Sequence, residues 1–334
     1  MITVHIGLHK TGSSSIQFAL SQLRPKPTLP IVVPRTGQGS SDEALHDALL
    51  RLRSAGNGVI SDENFIGHPF DGYSALDHRM AMLRESLMGV PMQVIVYLRP
   101  QHSWLASVFT QRVQQGGTAD AYEFWQGMRA FANLDWTILV ERLREAVGAD
   151  RIIALAYTGG DVVTDFFARA GLPRPNTDQP IRENISIASV QIPLLAAVNG
   201  HLGKGPQQTR ARACFQTVLG PGARRDLSVF PEDLQEEISQ RYRSRWRALC
   251  DIALPDDRPA FERGLREWPA EPVPSAGTSL EDDAIQAEAI RALAVLTGMS
   301  AGRGPRPWHR AVQWVRRDPV GIPRRAWHRI RRGS

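Results

Sequence analysis

The sequence predicts an α/β protein, a parallel sheet in a three-layer arrangement with a helical C-terminal region. Three observations carry this expectation. Short β-type runs alternate with helical patterns through the first half, as βαβ units do. One of the runs, Met92-Gln93-Val94-Ile95-Val96-Tyr97-Leu98, is almost continuously apolar, as a strand covered on both faces must be. Beyond about residue 186 the strand pattern stops and helical periodicity takes over.

Along the chain, strands are expected near 2–6, 31–34, 58–61, 92–98 and 151–157. Helical patterns fall near 13–24, 42–55, 76–89, 101–115, 121–130, 134–147 and 161–171. The first sets Ile16, Leu20 and Leu23 on one side, and the last stops at Ala170-Gly171-Leu172-Pro173, a glycine followed by a helix breaker. Helices then follow near 186–200, 231–250, 258–267 and 280–296. The stretch 269–279, with Pro269, Pro272, Pro274 and Gly277, reads as a linker. These boundaries divide the chain into an α/β core over 1–190, a helical part over 191–298 that completes the domain, and a basic tail over 299–334. The tail is interrupted by Pro305, Pro307, Pro319 and Pro323, so only short helices fit in it.

Composition narrows the classes. No apolar run in the 334 residues reaches the roughly 18–20 that a membrane-spanning helix needs. The chain opens directly on the strand-like Ile2-Thr3-Val4-His5-Ile6, so a cleaved secretory signal is not expected. Cys214 and Cys250 are too few for a disulfide framework, and no His/Cys cluster has zinc-ligand spacing. A reduced, cytoplasmic setting without metal is the expectation. The net charge of +6 is uneven: from Arg303 onward ten arginines face one acid, Asp318, a local +9 that leaves −3 for the body. Of the 40 basic residues only Lys10, Lys26 and Lys204 are lysine.

The strongest local signal is His5-Ile6-Gly7-Leu8-His9-Lys10-Thr11-Gly12-Ser13-Ser14-Ser15-Ile16-Gln17. A strand feeds a glycine-bounded loop that opens into an amphipathic helix. Such a loop turns backbone N–H groups and the helix dipole on an anion. Lys10 adds a point charge, and Thr11, Ser13, Ser14 and Ser15 offer hydroxyl donors. A nucleotide triphosphatase would place lysine straight after the second glycine; here position 13 is serine and the lysine sits inside the loop. The same residues also fit a serine-rich helix cap beside a solvated lysine.

The arrangement resembles the 5′-phosphosulfate loop of sulfotransferases that use 3′-phosphoadenosine-5′-phosphosulfate (PAPS), notably bacterial ones, over about a dozen consecutive positions. The resemblance implies a P-loop nucleotide-binding, sulfotransferase-like architecture. It also implies PAPS as co-substrate, adenosine 3′,5′-bisphosphate as product, and His9, Lys10, Thr11, Gly12, Ser13, Ser14 and Ser15 as its cradle. A second stretch, Val96-Tyr97-Leu98-Arg99-Pro100 with Ser103-Trp104-Leu105-Ala106-Ser107, looks like the family's 3′-phosphate motif. Arg99 would contribute a forked contact and Ser107 a hydroxyl. A third, Val59-Ile60-Ser61-Asp62-Glu63-Asn64, is similar to an S-[SD]-E-N element that makes Glu63 a candidate base beside Lys10. Asp62 or Glu63 equally suits a turn cap, and His9, His68 and His102 compete as bases while reading individually as loop or surface histidines.

The family's sheet order, 2-3-1-4-5, would set Glu63 and Arg99 on opposite sides of the Lys10 loop at the carboxyl edge. Tyr157 and the segment 161–172 match a fold marker of the family. Arg182, in Arg182-Glu183-Asn184-Ile185-Ser186, would reach the 3′-phosphate or belong to a helix cap. No chemical motif is legible beyond about residue 190. The implied acceptor is a hydroxyl, of a carbohydrate or glycolipid as in relatives of this kind. The tail's Trp308, Trp314 and Trp327 among arginines suit peripheral contact with an anionic membrane at its inner face. They equally suit a solubilising tail; nucleic acid is not the expected partner. A P-loop small-molecule kinase and a non-catalytic membrane or polyanion binder stand as alternatives.

Overall fold

The computed structural model describes residues 1–23, 29–33, 41–157, 161–173, 191–202, 205, 208–209, 211–213, 215 and 229–270. Its centre is a five-stranded, all-parallel sheet. The strands are β1 (Ile2–Ile6), β2 (Ile31–Val32), β3 (Gly58–Asp62), β4 (Met92–Leu98) and β5 (Ile152–Ala156), in the order β2-β3-β1-β4-β5. Every residue of β1 and β3 is buried, whereas the two residues of edge strand β2 are half-buried. Register sets Ile6 level with Asp62 on one side and Val96 on the other. The chain therefore leaves β1, β3 and β4 at one carboxyl edge, where α/β sheets bind ligands.

Side chains alternate across the sheet, so each strand feeds two cores. On one face Val59, Ile95, Tyr97 and Leu155 pack with Ile16 and Leu20 of α1 (Ser13–Ser21) and with Phe166 and Phe167 of α7 (Val162–Arg169). Burying such side chains is worth about 1.5–3 kcal/mol each. A polar seam crosses this same face and fixes where the helices sit. Gln93 Nε2 donates to Thr3 Oγ1 and to the carbonyl of Arg169, both at 2.9 Å. Gln17 Nε2 donates to the Ser61 carbonyl at 3.2 Å, while His5 Nδ1 and Ser61 Oγ share a 2.8 Å bond. Tyr97 Oη donates to Asp165 Oδ2 at 2.6 Å.

A second helical group comprises α2 (Asp42–Ala55), α3 (Leu76–Ser86) and α6 (Trp136–Val147), in which α2 packs on α3 and α3 on α6. The pattern is compatible with a three-layer α/β fold. Between these elements lie α4 (Gln101–Gln114) and α5 (Ala121–Arg129). Later helices are α8 (Ile192–Leu202), α9 (Glu232–Ile252) and α10 (Arg258–Arg266). Short capping residues start several of them: Ser41 accepts the Ala44 N–H, Asp135 that of Thr137 and Asp161 that of Thr164. Helix ends depart from the expected limits by a few residues in both directions: α1 stops early at Ser21 and α3 at Ser86, whereas α8 runs on to Leu202 and α9 to Ile252.

The chain divides into two units. One comprises Met1–Val108, Phe124–Glu183 and Glu236–Glu271, and holds the sheet. The other comprises Phe109–Glu123, Asn184–Gln235 and Pro272–Ser334. Within the second, Asn199 Nδ2 donates to the carbonyls of Val113 and Gly117 at 2.8 and 3.0 Å, and Phe109 stacks on Phe230 with ring centroids 5.5 Å apart. Among the described residues no helix is long and apolar enough to cross a membrane. The expected helix near 280–296, most of the 269–279 linker, Cys214 and the basic tail lie outside the described residues.

Candidate functional site

The loop between β1 and α1 is held by its carbonyls. Thr11 Oγ1 and Ser13 Oγ both donate to the Leu8 carbonyl, at 2.7 and 2.9 Å. Trp104 Nε1 donates to the His9 carbonyl at 2.8 Å, and Arg99 Nη1 to the Lys10 carbonyl at 3.5 Å. Because a trans peptide points its C=O and the following N–H in opposite directions, the amides of Lys10 and Thr11 turn away from Trp104 and Arg99. Two positions of the loop take left-handed backbone: Lys10 at φ 66° and Gly12 at φ 85°. For glycine this is cheap, whereas at Lys10 it costs about 1–2 kcal/mol. A strained lysine persisting in a tightly bonded loop is the kind of outlier that marks functional sites.

Gly12 occupies the N-cap of α1, so no side chain caps that helix, and no acidic residue stands in its first turn. The Ser15 N–H already donates to the Gly12 carbonyl at 3.0 Å, so what the helix start can offer an anion is its positive dipole end and the N–H groups before Ser15. Gly12 also cannot carry a side chain, since a Cβ would meet Val162 Cγ1 at 2.7 Å and Tyr157 Cε2 at 3.1 Å. Of the expected cradle, Ser14 is exposed and Ser15 and Lys10 are half-buried. Thr11 and Ser13 are buried, and their hydroxyls shape the loop by binding the Leu8 carbonyl.

Glu63 directly follows β3 and stands beside the loop. Gly7 N–H donates to the Asp62 carbonyl at 2.9 Å. Asp62 Oδ1 accepts the Asn64 N–H at 2.8 Å, so Asp62 caps the turn. Burial pushes the Glu63 carboxyl up, the Lys10 ammonium draws it back down, and Asp62 raises it further. A half-buried carboxyl with a raised pKa next to a cation suits proton acceptance.

Arg99 follows β4 on the other side of the loop. Besides its contact with Lys10, its Nε donates to Ser103 Oγ at 3.0 Å, and its own carbonyl accepts Trp136 Nε1 at 2.7 Å. Ser107 lies roughly two helical turns along α4 and is buried. Arg182 falls outside the described residues.

The three histidines divide differently from a surface reading. His9 and His102 are buried, and burial takes each down to about 3, with His68 and Lys10 adding to the effect at His9 and Arg99 at His102. The His102 ring lies 4.4 Å from that of Trp268. His68 is half-buried, lies 4.4 Å from His9 ring to ring, and its Nδ1 accepts the Phe70 N–H at 3.3 Å. Each therefore has a packing or capping role. The sheet thus brings Lys10, Glu63 and Arg99 to one edge. Sequence reasoning assigned no role to Trp104 or Trp136, whose indoles bind loop and strand-end carbonyls; an indole on an apolar helix face reads as core.

A cavity of about 160 Å³ lies beyond the wall that faces Gly12, lined by Tyr97, Tyr157, Val162, Asp165, Arg169 and Asp257. Arg169 ties its polar side together, bonding Asp165 at 3.0 Å and Asp257 at 2.5 Å. Compared with protein-family models, curated proteins and solved structures, the chain matches none.

Proposed function

We propose that this chain is a PAPS-dependent sulfotransferase of sulfotransferase-like P-loop architecture. The observation that carries the reading is the meeting of Lys10, Glu63 and Arg99 at one sheet edge, since these are the residues that the three motif resemblances single out. Charge and geometry support it further: an uncapped helix N-terminus beside a lysine favours a polyanion. In the reaction the acceptor oxygen attacks sulfur in line while Glu63 takes the hydroxyl proton. The bond from sulfur to the bridging phosphate oxygen breaks, and its electron pair leaves with adenosine 3′,5′-bisphosphate. Lys10 and the loop amides offset the charge developing on that oxygen. Arg99, with Ser107, would hold the 3′-phosphate. A carbohydrate or glycolipid hydroxyl is the acceptor in this reading, reached by a cytoplasmic protein whose tail touches an anionic membrane surface.

Calorimetric titration with adenosine 3′,5′-bisphosphate, beside ATP without and with magnesium, tests the reading. Micromolar binding of the bisphosphate with ATP silent is the expected result. Binding of magnesium-ATP alone would replace it with a small-molecule kinase.

A further inference from the structure

We propose that Trp104 and Trp136 form an indole brace that sets the separation between the two phosphate-binding groups of the site, acting as positioning residues. The proposal rests on the nucleotide reading above. Both indoles are fully buried, at 0% exposure. A buried indole N–H needs an acceptor, and many carbonyls would satisfy it. These two bind the His9 carbonyl, directly before Lys10, and the carbonyl of Arg99 itself. The rings meet edge to face, centroids 4.9 Å apart at 77°, the favoured aromatic geometry.

Each bond fixes a peptide plane. Trp104 fixes the plane that ends at the Lys10 nitrogen, and with it the start of the left-handed turn at φ 66°. Trp136 fixes the plane that leaves Arg99, and so the root of the guanidinium. The donors come from different elements, α4 and the first residue of α6, the latter set by the Asp135 cap. Contact between the rings couples the two planes: neither carbonyl shifts without displacing the other's indole. A third bond runs directly between the two segments, from Arg99 Nη1 to the Lys10 carbonyl. The loop and the end of β4 are thus tied twice, and the spacing of Lys10 from Arg99 is set before ligand arrives.

The test is the 3′-phosphate increment, the ratio of affinities for adenosine 3′,5′-bisphosphate and adenosine 5′-monophosphate, titrated on the full chain. Trp104→Phe and Trp136→Phe keep a ring and remove the donor. Each is expected to lower the ratio by roughly fivefold to tenfold, the effect of losing one hydrogen bond's positioning. The double variant is expected to lose no more than the worse single one, because either change releases the same brace. An indole with only a structural role would weaken both nucleotides in proportion and leave the ratio alone, which would overturn the proposal. Should Trp104→Phe fail to fold, Trp136→Phe reads the same ratio. Wild-type protein that binds neither nucleotide overturns the nucleotide reading and the brace together. Wild-type binding with an unchanged ratio in the variants overturns the brace alone.

Discussion

Gly7 passes so close to Glu63 that a Cβ on Gly7 would lie 2.9 Å from the Glu63 Cα. The contact is backbone against side-chain position, so rotating a flexible side chain cannot relieve it. Ser13 Oγ, at 2.8 Å from the same point, is held by the Leu8 carbonyl. Gly7→Ala must therefore part β1 from β3 at the carboxyl edge. Overpacking of this kind costs about 1–3 kcal/mol. Urea unfolding of the variant should show that loss, and unchanged stability would mean the edge yields without strain.

Lys10 separates stability from function. Its φ of 66° is strained for lysine and easy for glycine. Lys10→Gly should therefore stabilise the fold by about 0.5–1 kcal/mol, reduced by the freer unfolded chain. The same change removes the charge at the loop and should abolish bisphosphate binding. Lys10→Ala should drop turnover by several orders of magnitude and, keeping a Cβ at that φ, gain no stability. Nucleotide affinity that survives both substitutions would remove Lys10 from the site.

Glu63 gives a pH signature. Its folded carboxyl is raised above the ordinary value of 4.5, chiefly by burial. Between the unfolded and folded values the native protein holds the extra proton, so stability falls as pH rises through that window and levels off above it. Glu63→Gln should erase this dependence and be the more stable protein above the window. Wild-type turnover should climb as Glu63 ionises, while the Gln variant binds bisphosphate but stays slow at every pH. A Gln variant turning over at the wild-type rate would exclude Glu63 as the base.

Buried histidines act in the opposite sense. His5, His9 and His102 are lowered from 6.5 to about 3, so all three are neutral when folded at pH 7. Unfolded chains bind more protons between these values, so stability is fully present above pH 6.5 and declines as pH falls toward 3. Each histidine contributes up to about 1.4 kcal/mol per pH unit. Unfolding free energies measured from pH 7 to 5 should fall steeply, and His102→Gln should flatten the slope whatever it does to absolute stability. An equal slope in the variant would mean that His102 gains a proton within the native state.

The legible part of this protein is the part encoded within a few residues. Glycine spacing, a lysine inside the loop and the apolar run of β4 mark strand, loop and helix locally. The observed sheet order agrees with the one implied by the sulfotransferase resemblance. The role of Asp62 as the turn cap was not legible, because Asp62 and Glu63 offer the same chemistry and only the turn's geometry distinguishes them. Nor was the burial of His9 in its loop and of His102 in α4, since a histidine looks the same in sequence whether or not Tyr73 or Trp268 comes to lie beside it.

Local sequence thus settled the five parallel strands and the glycine-bounded loop between β1 and α1, because propensity and periodicity are properties of neighbours. The uncapped start of α1 at Gly12 emerged only in the fold. Tertiary structure alone decided which distant partners the residues take. Gln17 reaches the Ser61 carbonyl across 44 positions of chain, and Trp104 the His9 carbonyl across 95. Hydrogen-bond partners are chosen by proximity in the folded molecule, and that proximity exists only once the sheet has brought β1, β3 and β4 to a common edge.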